Sequence, residues 1–383
     1  MATTHIPVIS ADGHTVEPPD MWQRFLPSEF QDRAPRVVKD PKGGDAWEYV
    51  PGAPPVPLGL VTNRGLYGKR YEDLEWYGET FESIRAGVFD AKARIEEQDI
   101  DGVAGEVLYP SQRMMATFMA QEDDAYHLAG VDAYNAWIRA DFMEVAPERL
   151  IPMAQMPGVD TPAAVRALHD AKQAGFRGVV ISAWPSGGAR LSPDDDPFWA
   201  AAEEASMPIH IHDNVSQAGK RTAAGKQATA RHAARQVGLA DMGGPVGEAS
   251  LVMSELIYDG VFDRFPALTM VAVETGAGWV PHWLEHMDDH YWRNRVWTES
   301  SLEMLPSEYF RRNWKITFIR EPFTMRVRHW IGVPNLMWSS DYPHHRHDWP
   351  YSRRVIEETM AGVPDEERRL MLHDNAALLY NLP

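Results

Sequence analysis

Pro7-Val8-Ile9-Ser10-Ala11-Asp12-Gly13-His14 is a short apolar run that ends on two side chains able to bind a metal ion. Residues i and i+2 of a strand share a face. Asp12 and His14 are therefore expected to point the same way if the chain stays extended past Gly13. The pattern returns three times. Met207-Pro208-Ile209-His210-Ile211-His212 ends on His212, Leu268-Thr269-Met270-Val271-Ala272-Val273-Glu274 on Glu274, and Asn335-Leu336-Met337-Trp338-Ser339-Ser340-Asp341 on Asp341. Parallel strands that deliver such residues at their C-terminal ends describe the mouth of a (β/α)8 barrel, where that fold keeps its chemistry. The expected fold class is α/β, a (β/α)8 TIM barrel.

The stretches between these runs fit the same scheme. Helical periodicity over 91–99, 123–145, 161–175, 196–205, 248–262, 280–294 and 323–331 alternates with strand-like runs, about eight in all. Thr161-Pro162 reads as an N-cap followed by a first-turn proline. Two insertions stand out. Residues 15–88, after the first strand, are irregular and rich in Pro, Gly and aromatics, and are expected to form an inserted lid or oligomer arm. After the fifth strand, an Ala/Gly-rich stretch carrying Arg221, Lys226, Arg231 and Arg235 reads as a mobile loop with a helical part. No linker divides the chain, so 1–383 is read as one domain.

Composition narrows the chemistry. The net charge of -18 disfavours nucleic acid and anionic membranes as partners, since both select basic surfaces. The expected partner is a small-molecule substrate, with the aromatic arms pointing to a homo-oligomer. There is no cysteine, so a metal must sit among His and carboxylate groups, which suits a divalent Zn, Mn or Fe ion. The chain starts without a basic region leading into an apolar stretch, and no run reaches membrane-spanning length; a cytoplasmic location is expected. Of the two histidines on the fifth run, His212 lies nearer the strand end and is the expected ligand. His210 is expected a layer deeper, as a donor behind the ligands or a packed core histidine. Asp341 is a last ligand, or a base poised beside the ion.

The chain resembles the amidohydrolase superfamily, in the branch that includes aminocarboxymuconate-semialdehyde and resorcylate decarboxylases. The resemblance rests on Ile9-Ser10-Ala11-Asp12-Gly13-His14, Ala133-Tyr134-Asn135-Ala136-Trp137, Gly175-Phe176-Arg177-Gly178-Val179, Pro208-Ile209-His210-Ile211-His212, Glu274-Thr275-Gly276-Ala277-Gly278-Trp279, Trp338-Ser339-Ser340-Asp341-Tyr342-Pro343-His344 and Asn375-Ala376-Ala377-Leu378-Leu379-Tyr380. It implies that Asp12 and His14 are the first-strand ligands, His212 the fifth-strand ligand and Asp341 the last. The chain departs from the family's pattern at Asp12, often His or Glu, and at Glu274, often His. Glu274 is read either as a ligand or as an acid that caps a helix or holds water ahead of Gly276. The fourth strand offers no Lys for carbamylation, which argues against a lysine-bridged binuclear centre.

Two reactions fit one such site. The first expectation is hydrolysis of an amide, ester or thioester of a small apolar or cyclic carboxyl derivative by metal-activated water, with Asp341 shuttling protons and His344 steadying the oxyanion. The alternative is nonoxidative decarboxylation of an aromatic or unsaturated acid, with Asp341 protonating the carbon that loses CO2. A third reading is a barrel that binds a ligand without catalysis. Trp184, Arg113, Gln112 and Arg346 follow strand ends and are candidate substrate contacts. His282, His286 and His290 form an i, i+4, i+8 stripe, read as a face toward a neighbouring subunit or as a metal-binding row.

Overall fold

The structure, a computed structural model, describes residues 6–60, 62, 75–212 and 245–383, with backbone alone at 60, 112–114, 116, 245 and 246. β1 (Ile9–His14) opens the barrel. The insertion after it holds β2 (Arg36–Lys39), β3 (Asp45–Glu48) and β4 (Val56–Pro57), paired antiparallel in that order, a small sheet that the irregular composition of the segment hid. The later strands are β5 (Gly105–Tyr109), β6 (Leu150–Pro152), β7 (Ala154–Gln155), β8 (Val179–Ile181), β9 (Ile209–His212), β10 (Met270–Val273), β11 (Trp314–Phe318) and β12 (Leu336–Trp338).

Two parallel sheets, β1-β5-β6 and β12-β11-β10-β9-β8-β7, make up the ring. They join at Met153, where one extended segment changes partner: Met153 N donates to Leu108 O at 2.9 Å and Ala154 N to Gly178 O at 3.2 Å. β6 and β7 thus act as one strand, giving eight barrel strands among the described residues. The last strand meets the first through a single Gly13–Tyr342 bridge, with Asp341 N on Asp12 O at 3.0 Å and His14 N on Tyr342 O at 2.7 Å.

Strand alternation sorts the side chains. Ile9, Val107, Ile151, Val180, Val271 and Met337 form an inner core, joined by Ala376 and Tyr380 from the C-terminal helix Asn375–Tyr380. Ile209 and Ile211 belong instead to the outer core between strands and helices, which leaves His210 and His212 facing inward. Each fully buried aliphatic side chain contributes about 1.5–3 kcal/mol, so this sorting fixes the register of each strand. The helices begin and end on local signals. Asp90 caps Ala91–Asp101 by accepting from Ala93 N, and Gly102 ends it at φ 73. Asp160, not Thr161, caps Thr161–Ala174, because its carboxylate reaches Ala163 N at 2.7 Å; Thr161 turns its hydroxyl to Asp194 O. No helix among the described residues is long and apolar enough to cross a membrane.

Candidate metal centre

β1 carries its two polar groups through a bulge. Ser10 pairs with Glu106 and Gly13 with Leu108, so β1 holds one extra residue between those pairs. Ser10 Oγ donates to Asp12 O at 2.7 Å across this bulge. Ala11 stays in the inner core, while Asp12 and His14 both reach the mouth. Plain alternation would separate Ala11 from Asp12.

The other two carboxylates stand beyond their strands. β10 ends at Val273 and β12 at Trp338, short of the expected ends. Glu274 (φ 58) and Asp341 (φ 56) occupy the left-handed region, which costs a residue with a Cβ of order 1 kcal/mol or more and clusters at functional sites. Both carboxylates nonetheless reach the cluster that includes His14. Asp12, His14, His212 and Glu274 each offer one ligand atom, and these atoms lie within 4.8 Å of one another; His14, Glu274, Asp341 and His344 form an overlapping group of the same span.

The geometry suits a cation. His14 Nε2 and His212 Nε2 face each other at 3.1 Å. Asp12 Oδ1 lies 3.5 Å from His14 Nε2 and 3.4 Å from His212 Nε2, and Asp341 Oδ1 lies 3.5 Å from His14 Nε2. Metal–nitrogen bonds of about 2.0–2.1 Å set two imidazoles at a right angle about 3 Å apart. All four carboxylate oxygens of Asp12 and Asp341 are buried and receive no well-aligned hydrogen bond among the described residues. Buried carboxylates left so are costly unless a cation meets them. The donor set of imidazole and carboxylate, without thiolate, matches a divalent Mn, Fe or Zn ion.

Electrostatics agree with that fit. Burial, reinforced by His344 and His212, holds His14 well below its ordinary range, leaving the neutral imidazole that a metal requires. Burial pushes the Asp12 carboxyl up, against the pull of His212. A cation between them reverses that rise. His344 stacks on His14 with ring centroids 3.9 Å apart and sets Nδ1 3.1 Å from Asp341 Oδ1.

The remaining candidates fall elsewhere. His210 is buried beneath the cluster, its Nδ1 2.8 Å from Val179 O and its Nε2 2.8 Å from Tyr380 Oη. Burial lowers its pKa to about 4. Trp184 is buried beside Trp199, its indole N–H without a partner among the described residues, and Arg346 is exposed. The side chains of Gln112 and Arg113, and the stretch with Arg221, Lys226, Arg231 and Arg235, lie outside the described residues. His347 is buried and structural: its Nδ1 accepts from Trp349 N and its Nε2 lies 3.2 Å from the Arg85 guanidinium. Sequence reading missed Glu106, whose signal was an acid inside the apolar run Val103–Tyr109, and Arg94, which had none.

Comparison with known proteins places these features in context. The decarboxylase orsB of Emericella nidulans is 26% identical over 235 residues, covering 55% of this chain. The chain spans 64% of the length of that curated relative. An amidohydrolase from Mycobacterium avium subsp. paratuberculosis K-10 shares the fold at 20% identity, a TM-score of 0.74 and 98% coverage of both chains. A dihydroxybenzoic acid decarboxylase from Polaromonas sp. JS666, solved with manganese and 2-nitroresorcinol, does so at 16% identity, a TM-score of 0.66 and 98% and 97% coverage. A family model described as Amidohydrolase matches residues 96–382, and the chain belongs to that family of enzymes.

Proposed function

We propose that this chain is a divalent-metal-dependent nonoxidative decarboxylase of an aromatic carboxylic acid. The observation that carries the reading is the buried imidazole–carboxylate cluster whose Asp12 and Asp341 oxygens receive no well-aligned hydrogen bond among the described residues. Two similar proteins named as decarboxylases, one with manganese bound, favour decarboxylation over the hydrolysis expected first. Asp12, His14, His212 and Glu274 would hold the ion, with Asp341 at its edge. When bound, the ion supplies positive charge that orients the substrate carboxylate and a neighbouring hydroxyl.

Asp341 then does the proton work. As general acid, it delivers H+ to the ring carbon that bears the carboxylate. The bond from that carbon to the carboxylate breaks, CO2 leaves, and its electron pair restores the aromatic ring. Asp341 is left ionised and regains a proton through His344 Nδ1, 3.1 Å from Oδ1 and partly open to solvent. Burial of Asp341 keeps bulk water from competing for the proton.

Further elements fit this reading. In residues 15–88, Trp76 sets its ring edge-on to His345 at 5.4 Å, as a lid over the mouth would. Arg113 and Arg346 are the proposed substrate contacts. Exposed Trp292, Trp297, Phe323 and Trp330 support a homo-oligomer, with the chain otherwise one domain.

The test is direct. Protein loaded with manganese is incubated with hydroxylated benzoic acids, and in parallel with aryl esters and acyl thioesters. CO2 release with formation of the phenol is expected. Ester or thioester cleavage with no CO2 from any acid would restore the hydrolytic reading.

A further inference from the structure

The seam between β12 and β1 pairs through one isolated bridge, Gly13 with Tyr342, yet it carries His14 and Asp341. Two main-chain hydrogen bonds cross it, Asp341 N to Asp12 O and His14 N to Tyr342 O, and Ser340 N donates to Ser10 Oγ at 2.9 Å. Behind it lies a buried guanidinium. Arg94, 1% exposed and on the helix Ala91–Asp101, points one nitrogen, Nη2, at His14 O (2.8 Å) and at Tyr342 O (3.3 Å). That nitrogen spans the seam at the carbonyl of His14 and at that of the residue following Asp341. Nη1 donates to Gly87 O at 2.9 Å, where the long insertion rejoins the barrel. Nε donates to Glu106 Oε2 at 2.7 Å, which also receives Gln98 Nε2 at 3.2 Å. Ser340 Oγ reaches Glu106 Oε1 at 3.4 Å and Ser10 Oγ at 3.0 Å, so the network returns to β1.

We propose that Arg94, locked by Glu106, is the positioning residue that sets the spacing between the His14 and Asp341 ends of the barrel seam. A buried ion pair contributes little net stability over apolar packing of the same volume. Its fixed, forked geometry is what it adds. Lys at this position keeps the charge but supplies a point donor that cannot serve His14 O, Gly87 O and Glu106 together.

This inference rests on the metal reading of the site, and one experiment separates the two. Manganese binding is measured by titration on wild type, R94K and E106Q, with circular dichroism to confirm folding; CO2 release gives kcat and KM. Partners behind metal ligands typically affect metal affinity by about 10–100-fold. R94K and E106Q are each expected to weaken manganese binding at least tenfold and to lower kcat, with KM for the acid within twofold of wild type. E106Q, which keeps the side-chain shape, decides if R94K does not fold. Wild-type binding with both variants unchanged overturns the role of Arg94 alone. Failure of wild type to bind manganese overturns the metal reading and this role with it.

Discussion

His14 and His212, 198 positions apart in the chain, hold their Nε2 atoms 3.1 Å from each other. A positive charge on both rings is excluded there, and burial already disfavours charge on His14. One ion placed between them uses both lone pairs. Removing the ion is therefore expected to lower the melting temperature, because a ligand at 100 times its Kd stabilises the folded state by about 2.7 kcal/mol. Chelator-treated protein should regain its melting temperature on adding manganese. His14→Ala and His212→Ala should each bind less than half the wild-type metal per chain by elemental analysis. Full occupancy in both variants would show that the ligands are misassigned.

Asp341→Asn is expected to abolish turnover while leaving the fold in place. Asn tolerates the left-handed backbone at φ 56 as well as Asp does, so the turn after β12 survives the change. On the proposed mechanism, the change removes the proton carried between His344 and the substrate. Acid–base catalysis is worth about 10²–10⁴-fold, and CO2 release should fall by at least the lower figure. The far-ultraviolet circular dichroism should match wild type. A variant that still turns over at a tenth of the wild-type rate removes Asp341 from the mechanism.

The strand-end pattern was legible because it is local: an apolar run and the residue that ends it can be read within eight positions. His212 at the end of β9, with Ile209 and Ile211 on the outer face, follows directly from alternation. Other features depend on contacts between distant segments. The bulge at Ser10–Gly13 answers to pairing with β5, and the left-handed turns at Glu274 and Asp341 are set by tertiary packing against local preference. Asp160 caps the helix in place of Thr161, whose hydroxyl donates to the distant Asp194 O. Arg94 had no sequence signal at all, since its partners His14, Gly87, Glu106 and Tyr342 come from separate segments of the chain.

Gly13 tests the packing of the seam from the opposite side. A Cβ on Gly13 would lie 2.3 Å from Glu106 Oε1 and 2.7 Å from its Cδ. Gly13→Ala therefore pushes Glu106 away from Arg94 or spreads β1 from β5. Overpacking of this kind costs about 1–3 kcal/mol. A lower melting temperature together with weaker manganese binding is expected. A variant as stable as wild type, with unchanged metal affinity, would mean that Glu106 moves aside freely.

Glu17 gives a pH signature separate from the metal. Its side chain is 1% exposed, and neither carboxylate oxygen receives a well-aligned hydrogen bond among the described residues. Burial pushes the Glu17 carboxyl from its ordinary 4.5 up to about 8. The folded chain keeps this proton where the unfolded chain has already released it. The folded state binds more protons between those two values, so stability falls as pH rises through that window. The stabilising share of this group is fully present below pH 4.5 and gone above about 8. Each unit within the window costs up to about 1.4 kcal/mol. Glu17→Gln stays neutral throughout and loses that slope. The difference in melting temperature, variant minus wild type, should rise steadily from pH 5 to pH 8, about the span of this shift, because every other titrating group is common to both proteins. Parallel melting curves across that range would mean that Glu17 is ionised in the folded chain, with its charge met by a partner.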